Sequence, residues 1–120
     1  MPEYTTIVLH IAADRAAEFE AMFEREELPR WDDFTARGRF LEARLVRCAY
    51  SDLMGGYAKD KAIQDYVLHV VTADHEAHLE HDADPGFKEY NQRADEFQPQ
   101  EPTVTFGEVV FERWSPRPSG

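Results

Sequence analysis

A single cysteine, Cys48, stands in the 120 residues, which excludes a disulfide framework and any paired-cysteine zinc signature. No apolar run approaches the length needed to cross a bilayer. The opening Met1-Pro-Glu-Tyr-Thr-Thr lacks a basic region followed by an apolar stretch, so no secretory signal is expected and the chain reads as cytoplasmic. Positive charge is scarce: 13 Lys and Arg face 24 Asp and Glu, a net charge of −11. Nucleic-acid binding requires clustered cations to neutralise phosphates, so this balance excludes it, and it disfavours an anionic membrane surface as well. A Gly-rich phosphate loop and Ser-His-Asp spacing are also missing. Small molecules and a second copy of the chain remain as partners.

What is present is a length suited to one domain with one core, at 42% apolar content. The span 1–114 reads as that domain and 115–120, Ser-Pro-Arg-Pro-Ser-Gly, as a flexible tail. Tyr4 to Ala12 alternates as a strand, with Ile7, Leu9 and Ile11 on one face and Thr6, Val8 and His10 on the other. Asp14 is the expected cap of a helix whose Phe19, Met22 and Phe23 form an apolar stripe. Pro29 interrupts it and opens a short helix carrying Trp31 and Phe34, which Gly38 ends as a left-handed cap.

Arg39 to Tyr50 alternates again, with Leu41, Ala43 and Leu45 on one face and Phe40, Glu42, Arg44, Val46 and Cys48 on the other. The 51–64 connection, with Gly55-Gly56, reads as a long mobile loop, a lid or an arm. Asp65 to Ala73 is a β-branched strand holding His69. A two-part helix follows, its second half opened by Asp84-Pro85, and Thr103 to Trp114 is the last strand. The order β-α-β-β-α-β predicts an α+β, ferredoxin-like fold: a four-stranded antiparallel sheet with helices on one face. The open face is expected to carry Val8, Phe40, Val46, Val67, Val71, Phe106 and Val110, too much apolar surface to leave in water. A two-fold homodimer packed sheet to sheet buries it.

Two short stretches carry a family resemblance. Glu76-Ala-His-Leu, then Pro85-Gly-Phe-Lys-Glu-Tyr and Thr103-Val-Thr-Phe-Gly-Glu-Val-Val, resemble the antibiotic-biosynthesis monooxygenases of the dimeric α+β barrel superfamily. Asp65-Tyr-Val-Leu-His-Val-Val-Thr-Ala-Asp74, with Asp84-Pro-Gly-Phe and Asn91, is also similar to the tetracenomycin-type aromatic polyketide cyclases. Those cyclases carry a histidine at the place of His69, a helical asparagine near Asn91 and an aromatic end like Arg113-Trp114. They also carry a dense arginine run entering strand two, where this chain has only Arg37, Arg39 and Arg44. The resemblance implies a dimeric barrel and a cofactor-independent monooxygenase acting on an aromatic, polyketide-like phenol or quinol. A cyclase closing rings by aldol chemistry is the alternative, and a non-catalytic binding or stress-response protein is a third.

In that reading His69 and His10 act as acid and base, and Arg44 steadies a developing phenolate. Trp31, Tyr57, Tyr90, Asn91 and Trp114 are the candidate walls for a flat aromatic ligand. The bland alternatives are an interface-bound His69, a solvated His10 and an interface salt bridge between Arg44 and Glu42. His75, His78 and His81 are spaced three apart, but six helical residues span about 600° of rotation, so the three cannot converge. No metal site is expected from them, and no cofactor.

Overall fold

The computed structural model describes residues 1–52 and 62–116. Four strands, β1 (Glu3–Ala12), β2 (Phe40–Arg47), β3 (Ile63–Thr72) and β4 (Gln100–Gly107), form one antiparallel sheet in the order β2-β3-β1-β4. Helices α1 (Ala16–Glu26), α2 (Leu28–Ala36), α3 (His75–Ala83) and α4 (Pro85–Ala94) carry the apolar residues that cover one face of this sheet. This is the ferredoxin-like βαββαβ arrangement. The described part of the 51–64 connection is short, and Tyr57 and the Gly55-Gly56 pair lie outside the described residues.

The helix breaks follow local chemistry. Pro29 has no N–H to donate, so the chain restarts as α2 immediately after α1, with Glu27 at the joint. Gly38 takes φ 71°, a left-handed conformation that glycine adopts without a Cβ penalty. Asp74 accepts from the Ala77 amide to cap α3, and Asp84 accepts from the Phe87 amide to cap α4. Asp14 does not cap α1: it lies inside a 3₁₀ turn, Ala13–Arg15, and Arg15 occupies the cap position without a side-chain bond.

Phe19, Phe23, Trp31, Phe34, Tyr66, Tyr90 and Phe97 form the core with Ile11 and Val70. Phe40 joins them, which corrects its expected place on the open face. The β2–β3 register slips between Phe40 and Glu42, so the extra residue, Leu41, turns out to solvent and Phe40 swings beneath the helices. Phe106 also leaves the open face. It pairs with Thr5 of β1, a core-facing position, and its ring packs on His78 of α3.

The last strand is shorter than the sequence suggests, ending at Gly107 instead of Trp114. Gly107 pairs with Tyr4, and β1 itself begins at Glu3, so residues 108–116 have no neighbouring strand to extend. Val110 therefore belongs to an exposed, irregular segment and not to the sheet. Among the described residues no helix is long and apolar enough to cross a membrane.

Candidate functional site

Between the sheet and the helices lies a cavity of about 400 Å³. Thr5, Ile7 and Leu9 of β1 and Leu68 and Val70 of β3 form its floor, all on the core-facing phase of their strands. Its walls are aromatic: Phe19 and Phe23 from α1, Trp31 from α2, Phe87 and Tyr90 from α4. Trp31 stands edge-on to Phe23 at 5.0 Å between ring centroids. Such a hollow suits a flat, largely apolar molecule of modest size.

Polar groups gather at one part of this lining. His81 of α3 directs Nε2 to Glu27 Oε2 at 3.1 Å and Nδ1 to Asp82 Oδ1 at 3.1 Å. Glu27 is 2% exposed and its other oxygen accepts from Arg30 Nε at 2.7 Å. Arg30 is held in turn by the Glu26 carbonyl at 3.1 Å. Burial alone depresses the His81 pKa, but the hydrogen bonds and charges of Asp82 and Glu27 outweigh it and raise the value above that of a free imidazole. Asp82 responds oppositely: burial raises its pKa, and His81 and His78 more than reverse that.

Two further atoms in the lining residues want partners. Thr5 Oγ1 and Gln98 Oε1 are buried with no hydrogen bond among the described residues. Unmet groups of this kind cost free energy in the folded protein. Burial, with the negative field of Glu27 and Glu26, raises the Tyr90 phenol well above its ordinary pKa. It therefore stays protonated at neutral pH.

Of the residues singled out in the sequence, Trp31, Tyr90 and Asn91 line this cavity. His10, His69 and Arg44 do not: they lie on the opposite face of the sheet. His10 is buried there, with Nδ1 2.6 Å from Asp65 Oδ1, and Asp65 Oδ2 accepts from Ser51 at 2.7 Å. His10 Nε2 has no partner among the described residues. His69 sits opposite Thr6, whose hydroxyl is 3.5 Å from its Nδ1, and beside Arg44 on β2. Because Asp65 and His69 are four residues apart on β3, the two imidazoles stand roughly 13 Å apart along the strands. They do not share one reacting atom within a single chain. Arg44 is paired with Glu42 and exposed, and Trp114 is 71% exposed.

Sequence reasoning passes over Thr5 and Gln98, treats His81 only as part of a histidine series, and reads Glu27 with the acidic residues from Glu18 onward as an exposed helix face, which its burial corrects. A signal for Glu27 existed: a carboxylate directly before a Leu-Pro helix restart is fixed at the joint, not on the acidic outer stripe of α1. For His81 it was the spacing to Ala77, since both are buried at i and i+4 on α3. Nothing local marked Thr5 or Gln98.

Solved structures share this fold across nearly the whole chain. Rv0793 of Mycobacterium tuberculosis matches with a TM-score of 0.68 at 16% identity, covering 93% of this chain and 98% of its own. A Caulobacter crescentus protein provisionally described as an antibiotic biosynthesis monooxygenase matches with a TM-score of 0.68 at 19% identity, over 92% and 91% of the two chains. SnoaB, a cofactor-independent oxygenase from Streptomyces nogalater, matches with a TM-score of 0.58 at 24% identity, over 98% and 100%. No protein-family model and no curated protein matches the sequence. The chain thus has the ferredoxin-like fold of structures described as antibiotic biosynthesis monooxygenases, at identities that speak for shape alone.

Proposed function

We propose that this protein is a cofactor-independent monooxygenase that oxidises an aromatic, polyketide-like phenol or quinol. The observation that carries the reading is the aromatic-walled cavity with Glu27 and His81 in its lining and Arg30 bonded to Glu27 behind them. Glu27 is the buried, permanent partner of His81, whereas Asp82 is half-exposed and displaceable. A substrate hydroxyl that takes the place of Asp82 meets Nδ1 of an imidazole whose other nitrogen is already oriented. As Asp82 moves away the Nδ1 proton leaves to solvent with it, so the neutral His81, its Nε2–H held by Glu27, accepts the phenolic proton at Nδ1, and Glu27 stabilises the imidazolium that results. The electron-rich carbon of the phenolate attacks molecular oxygen, forming a C–O bond. The resulting peroxide loses water as its O–O bond breaks and leaves a carbonyl. One oxygen atom stays in the product and the other leaves as water, so an anthrone-type CH₂ becomes C=O with no external reductant.

Two subunits complete the proposed assembly. The open sheet face presents Val8, Val46 and Val67 with His69, and the segment after β4 exposes Val110, Phe111 and Trp114. Pairing these faces buries them and encloses His69, whereas His10 is already buried within the single chain.

The test is oxygen consumption with an anthrone, followed for the wild type and for His81→Ala, His69→Ala and His10→Ala. Activity lost only with His81→Ala supports chemistry in the cavity. Activity lost only with His69→Ala or His10→Ala moves it to the sheet face. Anaerobic ring closure of a poly-ketone would favour the cyclase, and saturable binding without turnover would favour a binding protein.

A further inference from the structure

We propose that Glu3, His75 and His78 form a site for a borderline first-row divalent cation, zinc above all. The three residues come from two elements that the fold brings together. Glu3 opens β1 and pairs with Thr72 at the end of β3, and the chain then turns directly into α3. The Asp74 cap fixes that turn, so His75 and His78, one helical turn apart, face the first residue of β1. A ligating atom from each of the three lies within 4.8 Å of the others. Glu3 Oε2 is 2.7 Å from His75 Nδ1, and its Oε1 contacts His78 Nδ1.

The surroundings resemble those of built metal sites and not of a loose surface ion pair. His78 Nε2 lies 2.9 Å from Asp82 Oδ2, an outer carboxylate that orients a ligating imidazole and raises its basicity. With Nε2–H given to Asp82, Nδ1 of a neutral His78 carries the lone pair and points at Glu3. Two carboxylates around one imidazole are both satisfied either by a second ring proton or by a cation at Nδ1. The Phe106 ring packs on His75 and His78 at 6.3 and 5.4 Å between centroids and shields one side.

Two imidazoles and one carboxylate suit zinc and its neighbours, and leave a coordination position for water. Hard calcium and magnesium prefer all-oxygen shells. His81 takes no part, since its nitrogens are held by Glu27 and Asp82. The helical argument against three converging histidines therefore stands, while the third ligand comes from β1, 72 positions from His75. The site does not depend on the oxygenase reading, although it borders the same cavity and shares Asp82 with it.

The experiment is titration of the tag-free full chain with Zn²⁺ by calorimetry, and with Co²⁺ by its visible ligand-field bands. One ion per chain is expected, with binding weakened at least about tenfold in Glu3→Gln and in His75→Ala. His75 is 55% exposed, so its loss leaves the core intact, and circular dichroism checks that the variants fold. His69→Ala, on the other face of the sheet, should bind as the wild type does. The proposal is overturned if Zn²⁺ shows no saturable binding at micromolar concentrations, or if binding survives in the Glu3→Gln, His75→Ala double variant.

Discussion

Glu27 and His81, 54 positions apart in the chain, meet at 3.1 Å beneath the helical layer. The contact ties the joint between α1 and α2 to the body of α3. Phe34, Phe40 and Phe87 pack around the imidazole at 5.5, 5.3 and 4.3 Å between ring centroids. A charge-bearing pair in such company has little water to fall back on, so its energetics depend on both partners being present.

Glu27→Ala should therefore destabilise the fold by about 1–3 kcal/mol, the cost of leaving buried donors without their acceptor. Arg30 keeps its contacts with Asp84 and the Glu26 carbonyl, and His81 keeps Asp82, which holds the loss within that range. Urea denaturation of the variant against wild type measures it.

Stability should also fall as pH rises above the free imidazole range. The folded-state pKa of His81 is raised, so folding is linked to proton uptake by this ring. Its contribution is fully present below the unfolded imidazole value, about 6.5, and is lost as pH rises through the higher folded value. Glu27, Asp82 and Arg30 are the charged groups around it. Burial opposes ionisation of Glu3 and Asp82, but their histidine partners prevail and both pKa values are lowered. Their contributions are lost instead as pH falls through the folded carboxylate range. Denaturation midpoints from neutral to alkaline pH should drop more for wild type than for His81→Gln; equal slopes would contradict the assignment.

Phe40 and Leu41 show how much of this fold the sequence makes legible. Strict alternation along β2 puts Leu41 inward and Phe40 outward, and a single bulge reverses both. Alternation holds along β1 and β3, where Ile7, Leu9 and Ile11 face the helices while His10 and His69 face away, but Phe106 of β4 departs from its expected face. The element order, the Pro29 break and the Gly38 and Asp84 caps are local chemistry and could be read directly. The pairing of the cavity's polar groups could not, even where a local signal fixed the place of Glu27 or His81 on its own element. Glu27, His81, Thr5 and Gln98 acquire meaning only when distant segments meet, and alternation and propensity do not encode such meetings.

Phe40→Ala should cost about 3–5 kcal/mol, the range for deleting a buried aromatic side chain, whereas Leu41→Ser should be nearly neutral. Leu41 is 54% exposed, so it loses little on truncation. Thermal unfolding of the two variants separates the bulged register from simple alternation, which predicts the reverse order.

The proposed dimer makes a separate demand on the outer face. Val46 is 46% exposed in the single chain, and a charge placed there is solvated in the monomer but desolvated between two sheets. Val46→Glu should shift wild-type dimer to monomer by analytical ultracentrifugation while leaving circular dichroism unchanged. A wild-type chain that sediments as a monomer at the same concentration would remove the dimer altogether.

Thr5 supplies a test in which stability and binding should move in opposite directions. Its hydroxyl is buried in the cavity floor without a hydrogen bond among the described residues. Replacing it by a methyl group in Thr5→Val removes an unsatisfied polar atom at little change in shape, so the free protein should be stabilised by up to about 1 kcal/mol. If a ligand's polar group completes that hydroxyl, the same change should weaken anthrone binding about tenfold, since about 1.4 kcal/mol corresponds to one order of magnitude in affinity. Thermal denaturation gives the first quantity and ligand-induced quenching of the Trp31 fluorescence the second. A variant that gains stability and binds the anthrone as tightly as wild type would show that the ligand does not use this part of the floor.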